Sequence, residues 1–291
     1  MSLKDNIGVN IYTKISNDIL KDGDAKVEFI HSDGSMDEKN LSEFEDAVYQ
    51  DTKVKKISYD VVPAEMSDYV EIKVVKEDGT ESNTFSCSVA SYARDLLSRS
   101  DTDDACAKAA NLVKAMLNYG AFAQIYFDIN TANMANDGID NGNCIVPDFQ
   151  DIADSIQNEE AISFSNEDLD YFGTSLLCES ETSLKLTFIN KTGIGVEQLK
   201  EKYDIKLPEN DMHQVDISAE GSFVWIKIKN IKPTELGKDY CISISDALIQ
   251  TSPMVYMKKV FEAGEDEKLM DICRALYLYN CAALEYIDGE Q

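Results

Sequence analysis

Apolar and polar positions alternate through the first third of the chain, then switch to a period of 3.6, and the same switch recurs in the second half. Residues 7–16 (IGVNIYTKIS) set Ile7, Val9 and Ile11 on one face, as a half-buried strand does. Residues 25–31 (AKVEFIH) repeat this with Val27 and Phe29, closed by a turn at Asp33-Gly34-Ser35. The acidic stretch 36–51 shows no alternation and is expected to be a loop with a helical turn around 41–48. Residues 54–62 predict a third strand, ended by Pro63, which has no N–H for a ladder. Two further alternating runs, 69–76 and 84–89, flank Glu77-Asp78-Gly79-Thr80, and Asp-Gly in that setting predicts a hairpin.

The period then changes. Residues 91–99 predict a short helix carrying Tyr92, Leu96 and Leu97, and the acids and hydroxyls of 100–104 suit the start of a longer one. That longer helix, 109–128, is written again at 269–288. Ala115, Tyr119, Ala123, Tyr126 and Asp128 return as Ala275, Tyr279, Ala283, Tyr286 and Asp288, and Lys114 returns as Arg274. Spacings of four, four and three place these residues on one stripe. Lys108, Asn111, Lys114 and Asn118 form a narrow polar stripe, and the remaining apolar surface predicts substantial burial against a sheet.

The second half is read against the first. Residues 172–178 are expected to answer the first strand, with Gly173 facing Gly8, and 184–188 to answer 25–29. The stretch 231–244 aligns with 61–74, pairing Pro233 with Pro63 and Glu235 with Glu65, and Tyr240 with Tyr69 after a one-residue insertion. The second hairpin is trimmed. Residues 129–162, rich in Asn, Asp and Gly, read as an ordered linker. The expected fold is α+β, with two tandem similar domains at 1–128 and 163–291. Each is a small, mainly antiparallel sheet or sandwich followed by two helices, and two repeats are too few for a solenoid.

Composition narrows the function classes. A chain of 291 residues accommodates two domains of about 130–150 residues each. The 44% of apolar residues predicts packed cores. A net charge of -27 repels phosphate backbones and anionic headgroups, so no nucleic-acid partner is expected. No apolar run reaches the length of a membrane helix, so no membrane insertion is expected. The first residues lead straight into charged positions, unlike a signal peptide, so the chain reads as cytoplasmic or as a mature piece of a larger precursor. The seven cysteines show neither CxxC nor zinc spacing. Cys273 and Cys281 lie too far apart on one helix to bridge, at ~12 Å. All are expected to be reduced and mostly buried.

The chain carries no GxSxG, GxGxxG, P-loop or HExxH. His31 and His213 lack motif partners and read as ordinary strand-end and loop residues. A buried pocket gathering either one with carboxylates would instead revive an enzymatic reading. The glycines at 192–195 (TGIG) predict a turn. Residues 136–143 (NDGIDNGN) offer oxygen donors without the frame of a calcium loop. No catalytic residue, metal or cofactor is expected. Trp225 is different: Val224, Ile226 and Ile228 share one strand face, so Trp225 points the other way with Lys227 and Lys229. If open, that face suits sugar stacking or a protein hot spot; if covered by another layer, it is core.

The motifs NIGVN, LVKAMLNYGAFAQIYF, FGTSL, FVWIKIKNI and LYLYNCAALEY together resemble an uncharacterised two-repeat module of large surface or secreted proteins of gut Clostridia. The resemblance spans residues 5 to 288 and is most specific at 113–127 and 276–286. The chain departs from it in its many cysteines and trimmed second hairpin. The resemblance implies an extracellular or cell-surface, non-enzymatic module, part of a larger multidomain protein. The expected function is binding or adhesion to a host protein or glycoprotein, immunoglobulin included. A carbohydrate-binding module centred on Trp225 and a ligand-free spacer are the alternatives.

Overall fold

The alternating stretches form strands and the 3.6-period stretches form helices in a computed structural model that describes residues 7–15, 23–49, 51–99, 104–139, 162–178 and 181–288. The architecture is α+β, with 14 strands in four antiparallel sheets and five α-helices among the described residues. The chain divides into two units, Met1–Ile139 and Asp140–Gln291.

In unit 1, β1 (Gly8–Thr13), β4 (Glu45–Tyr49) and β5 (Thr52–Asp60) form one sheet in the order β1-β5-β4. A second sheet joins β2 (Lys26–His31), β3 (Met36–Asn40), β6 (Val70–Val75) and β7 (Phe85–Cys87) in the order β3-β2-β6-β7. Val27 pairs with Val74 and Phe29 with Ile72, so alternation gathers one apolar face. The Asp-Gly hairpin joins β6 to β7, and Gly79 takes the left-handed φ of 82° that its turn requires. The stretch 36–51 is a correction: it supplies two strands, β3 and β4, around a short 3-10 turn at Leu41–Glu43. Both are edge strands, and all of β3 is exposed, so neither has a buried face to print an alternating pattern.

Two helices follow, α1 (Val89–Arg99) and α2 (Asp104–Phe127). Of the expected capping stretch 100–104, residues 100–103 lie outside the described residues. A 3-10 turn at Pro63–Glu65 seats on α2 where Gly120 has no side chain. A Cβ there would lie 2.7 Å from Met66 Sδ and 3.0 Å from the Pro63 carbonyl oxygen. Asn118, read as part of the polar stripe, is buried and accepts from Asn136 Nδ2 at 3.0 Å, whereas Phe127 is exposed. The expected linker starts with ordered structure: Gln124 Nε2 donates to Ser67 Oγ (3.0 Å) and to the carbonyls of Asn130 and Asn133, and its Oε1 accepts from Ala135 N at 2.7 Å. Arg94 donates to the carbonyls of Met134, Ala135 and Asp137. Residues 129–139 therefore belong with α2, and 140–161 lie outside the described residues.

In unit 2, β8 (Leu169–Cys178), β9 (Thr182–Asn190), β11 (Val215–Glu220) and β12 (Phe223–Ile228) form a sheet in the order β11-β12-β9-β8. The helix α3 (Val196–Lys202) precedes the two-residue strand β10 (Ile205–Lys206). It joins β13 (Tyr240–Ile244) and β14 (Ala247–Thr251) in the order β10-β13-β14. Helices α4 (Pro253–Ala263) and α5 (Glu267–Asp288) follow. A 3-10 turn at Pro233–Glu235 packs on α5, where Asn280 Nδ2 donates to the Pro233 carbonyl at 2.5 Å.

Backbone bonds shift the expected alignment of the halves by one strand. Val61 N donates to Ile7 O at 2.8 Å, and Ile231 N donates to Thr182 O at 2.9 Å. Hence β9 lies beside β12 as β1 lies beside β5, β10 takes the place of β2, and β8 is an added edge. The one-residue insertion is also unnecessary. Val70 lies opposite Cys87 and Tyr240 opposite Thr251, so Tyr240 matches buried Val70, not Tyr69, which is 51% exposed. The long-helix tyrosines Tyr119 and Tyr279 are both buried, as the stripe predicts.

Candidate functional site

Strand β12 turns Val224, Ile226 and Ile228 into the core and leaves Phe223, Trp225 and Lys227 on the outer face. Phe223 and Trp225 stack with centroids 6.3 Å apart and planes 21° from parallel, and Phe172 meets Phe223 edge-on at 5.9 Å. Phe172 reaches this face because β8 has a bulge between Tyr171 and Gly173, and it is 66% exposed. Lys185, on the neighbouring β9, holds its ammonium 5.9 Å from the Trp225 ring centroid. Lys227 and Lys229 share Glu181 at 3.9 and 3.4 Å, and Lys229 also approaches Asp216 at 3.9 Å. Of the sequence-predicted trio, Trp225 and Lys227 share the outer face of β12 and Lys229 follows the strand, sharing Glu181 with Lys227; the face also contains Phe172, Phe223 and Lys185. Period-two reading of β12 makes Phe223 legible; the bulge that brings Phe172 across does not show in the sequence.

A second constellation gathers around His31 at the end of β2. Its Nδ1 lies 3.2 Å from Tyr59 Oη and its Nε2 3.0 Å from Asp37 Oδ2. These side chains line a cleft of about 450 Å³ with Asp33, Glu65, Asp68 and Tyr69. Burial, then the charges of Glu65, Asp37 and Asp68, push the Tyr59 phenol up to about 12. Tyr59 therefore stays protonated, and its phenol and the Asp37 carboxylate hold the two ring nitrogens of His31. Burial, with repulsion from Asp68, holds the Glu65 carboxyl above its ordinary range, although His31 draws it down. Asp33 accepts from Ser35 N and Oγ, and Asp68 accepts from Asn130 Nδ2. No lysine or arginine is among the lining residues.

The other histidine meets the matching glutamate in unit 2. His213 Nε2 lies 3.1 Å from Glu235 Oε2, and its Nδ1 2.5 Å from Asp211 Oδ1. Lys238 Nζ bridges to Asp211 Oδ2 at 3.0 Å and stands 5.1 Å over the Tyr240 ring, whose edge meets His213. Burial would raise the Asp211 carboxyl, but bonds from the His213 backbone and ring and from Lys238 bring it below its usual range. Both histidines were read as ordinary residues, and the structure surrounds each with carboxylates. A single sequence carries no signal for it, because His31 and His213 lie at different places in the two halves.

Other candidates have structural roles. The glycines at 192–195 form a turn, with Gly193 at a φ of 71°, and Thr192 Oγ1 donates to buried Asp168 at 2.5 Å. Bonds from Lys202 Nζ (2.5 Å), Thr192 and Tyr203 Oη (2.7 Å) pull the Asp168 carboxyl down to about 2. Cys87, Cys178, Cys241, Cys273 and Cys281 take part in no disulfide among the described residues; Cys87 and Cys273 are buried and Cys281 is exposed. Among the described residues no group of three or more His, Cys, Asp or Glu is placed to hold a metal ion. No described helix is long and apolar enough to cross a membrane. Comparison with protein-family models, curated proteins and solved structures found no match.

Proposed function

We propose that the chain is a pair of similar α+β domains forming a binding module of a bacterial surface protein, and that the outer face of the β11-β12-β9-β8 sheet engages an extracellular host protein or glycoprotein, immunoglobulin included. The observation that carries this reading is the open aromatic cluster of Phe172, Phe223 and Trp225 with Lys185 against the indole. Clustered aromatic side chains are the usual energetic centre of a protein interface. On a chain of net charge -27, the Lys185 ammonium against the indole favours a partner with an acidic rim. The carbohydrate reading rests on the same face, where Phe172 is the most open ring; Lys185 and Phe223 both crowd Trp225, which leaves less of the indole for a sugar.

The test is surface capture of mucin, immunoglobulin and matrix glycoproteins on the immobilised chain, before and after deglycosylation. Retention that survives deglycosylation and falls at least about tenfold in Trp225→Ala and Phe172→Ala, with unchanged melting temperatures, supports the protein-binding reading. Retention lost with the glycan moves the reading to a carbohydrate-binding module. Equal binding by both variants removes this face from consideration, and no retention at all leaves a spacer.

A further inference from the structure

We propose that the outer face of the β1-β5-β4 sheet in unit 1 binds a neutral oligosaccharide on the stacked rings of Tyr12 and Tyr49. This site is separate from the aromatic face of unit 2 and does not depend on its role.

Pairing of β1 with β5 sets Val9 opposite Tyr59, Ile11 opposite Ile57 and Tyr12 opposite Lys56. Val9 and Ile57 are buried, so alternation turns Asn10, Tyr12, Lys56 and Ser58 to the other side of the sheet. Pairing of β4 with β5 adds Glu45, Ala47 and Tyr49 to that side, together with buried Val54. Tyr12 and Tyr49 are 45% and 52% exposed, and their rings stack with centroids 5.6 Å apart and planes 20° from parallel. They come from the two strands that flank β5, which lie about 10 Å apart at the usual strand spacing. The ring pair therefore bridges about the length of a disaccharide. Neither phenol hydroxyl has a hydrogen-bond partner among the described residues.

The rim of the ring pair selects the ligand. Ser58 Oγ donates to Asn10 Oδ1 at 2.8 Å, which leaves the Asn10 amide N–H groups to donate outward. Lys56 Nζ lies 3.2 Å from Glu45 Oε2, so the charges across the sheet from Tyr12 cancel. On a chain of net charge -27, such a balanced patch suits an uncharged ligand, because the surrounding surface repels anions and its acids draw cations elsewhere. A pyranose presents C–H groups on one face and hydroxyls around its edge. The tyrosine rings take the C–H face, and the phenols, Asn10, Lys56 and Glu45 exchange hydrogen bonds with the hydroxyls. On the unit 2 face, by contrast, Phe172 and Phe223 carry no hydrogen-bonding group and a lysine stands against the indole.

Trp225 is the single tryptophan, so its indole NMR signal reports the unit 2 face while the tyrosine ring signals report this one. The full chain, isotopically labelled in its tyrosine rings and indole, is titrated with cellohexaose, mannohexaose and chitohexaose. Sialyllactose and a proline-rich peptide are titrated beside them. The expected result is a saturable shift of the Tyr12 and Tyr49 rings by at least one of the neutral oligosaccharides, with the indole unmoved. Tyr12→Ala and Tyr49→Ala each weaken that binding about tenfold or more. The proposal is overturned if no neutral oligosaccharide moves the two rings, or if the shifts fall on the indole instead. Saturation by sialyllactose or the peptide alone also overturns it, as does either alanine variant binding like the parent chain. Should the alanine variants not fold, the parent chain decides: unmoved Tyr12 and Tyr49 rings at the highest oligosaccharide concentration overturn the proposal equally.

Discussion

Unit 1 and unit 2 use one device, a proline-led 3-10 turn seated on a long helix, and finish it with opposite chemistry. Unit 1 leaves the helix bare at Gly120 so that the turn can press in; unit 2 places Asn280 there and bonds the Pro233 carbonyl. Unit 1 buries Gln124 one turn later as a clamp on 129–139; the matching Leu284 of unit 2 is 43% exposed. Unit 1 surrounds His31 with acids, whereas unit 2 answers its acids with Lys238. The shared part of each unit is apolar packing, and the divergent part is polar.

The largest expected effect tests the shared part. Tyr119→Ala and Tyr279→Ala each remove a fully buried ring and should each cost about 3–5 kcal/mol. Trp225, the single tryptophan, reports unit 2 by fluorescence during denaturant unfolding, and hydrogen exchange reports unit 1. Costs differing by more than about 2 kcal/mol would break the equivalence of the two helices. Next, Gln124→Leu strands polar groups of Ser67 and the 129–139 backbone, for about 1–3 kcal/mol. Leu284→Gln at the matching exposed position should stay within about 0.5 kcal/mol. Equal costs would mean that the clamp is not specific to unit 1.

Gly120→Ala should lose about 1 kcal/mol, because crowding against Pro63 and Met66 outweighs the gain in helix propensity. A stabilised variant would show that the turn can back away. The smallest effect distinguishes the two glutamates. Because burial raises the Glu65 carboxyl, the folded chain holds this proton more tightly than the unfolded chain. Its contribution to stability is full at low pH and falls as pH rises through the folded value. Glu65→Gln should therefore stabilise unit 1 at neutral pH, by less than about 1 kcal/mol given solvent screening, and the gain should vanish in acid. Glu235→Gln should change sign, since it weakens the bond with His213. Melting curves across pH would show a common sign if the two sites were electrically alike.

Much of this architecture was legible from pattern alone. Alternation located β1, β2, β5 and β12, Asp-Gly located the β6–β7 hairpin, and helical spacing identified Tyr119 and Tyr279 as buried partners of one design. These features are local: a buried face recurs every two or 3.6 residues, so the chain records it directly. Trp225 belongs here too, because its orientation follows from the apolar residues on either side.

Other features were decided only when distant segments met. β3 and β4 pair at sheet edges and bury almost nothing, so they carry no alternation. The added strand β8 and the brevity of β10 depend on which strand accepts which backbone bond, and a side-chain pattern does not record partners. The cleft is the clearest case. His31, Tyr59 and Glu65 become neighbours through the pairing of β2 with β6 and the turn after β5. The sequence by itself determined which faces are apolar, because burial repeats along the chain; the tertiary structure decided which charges meet, because electrostatic neighbours are set by distance in space.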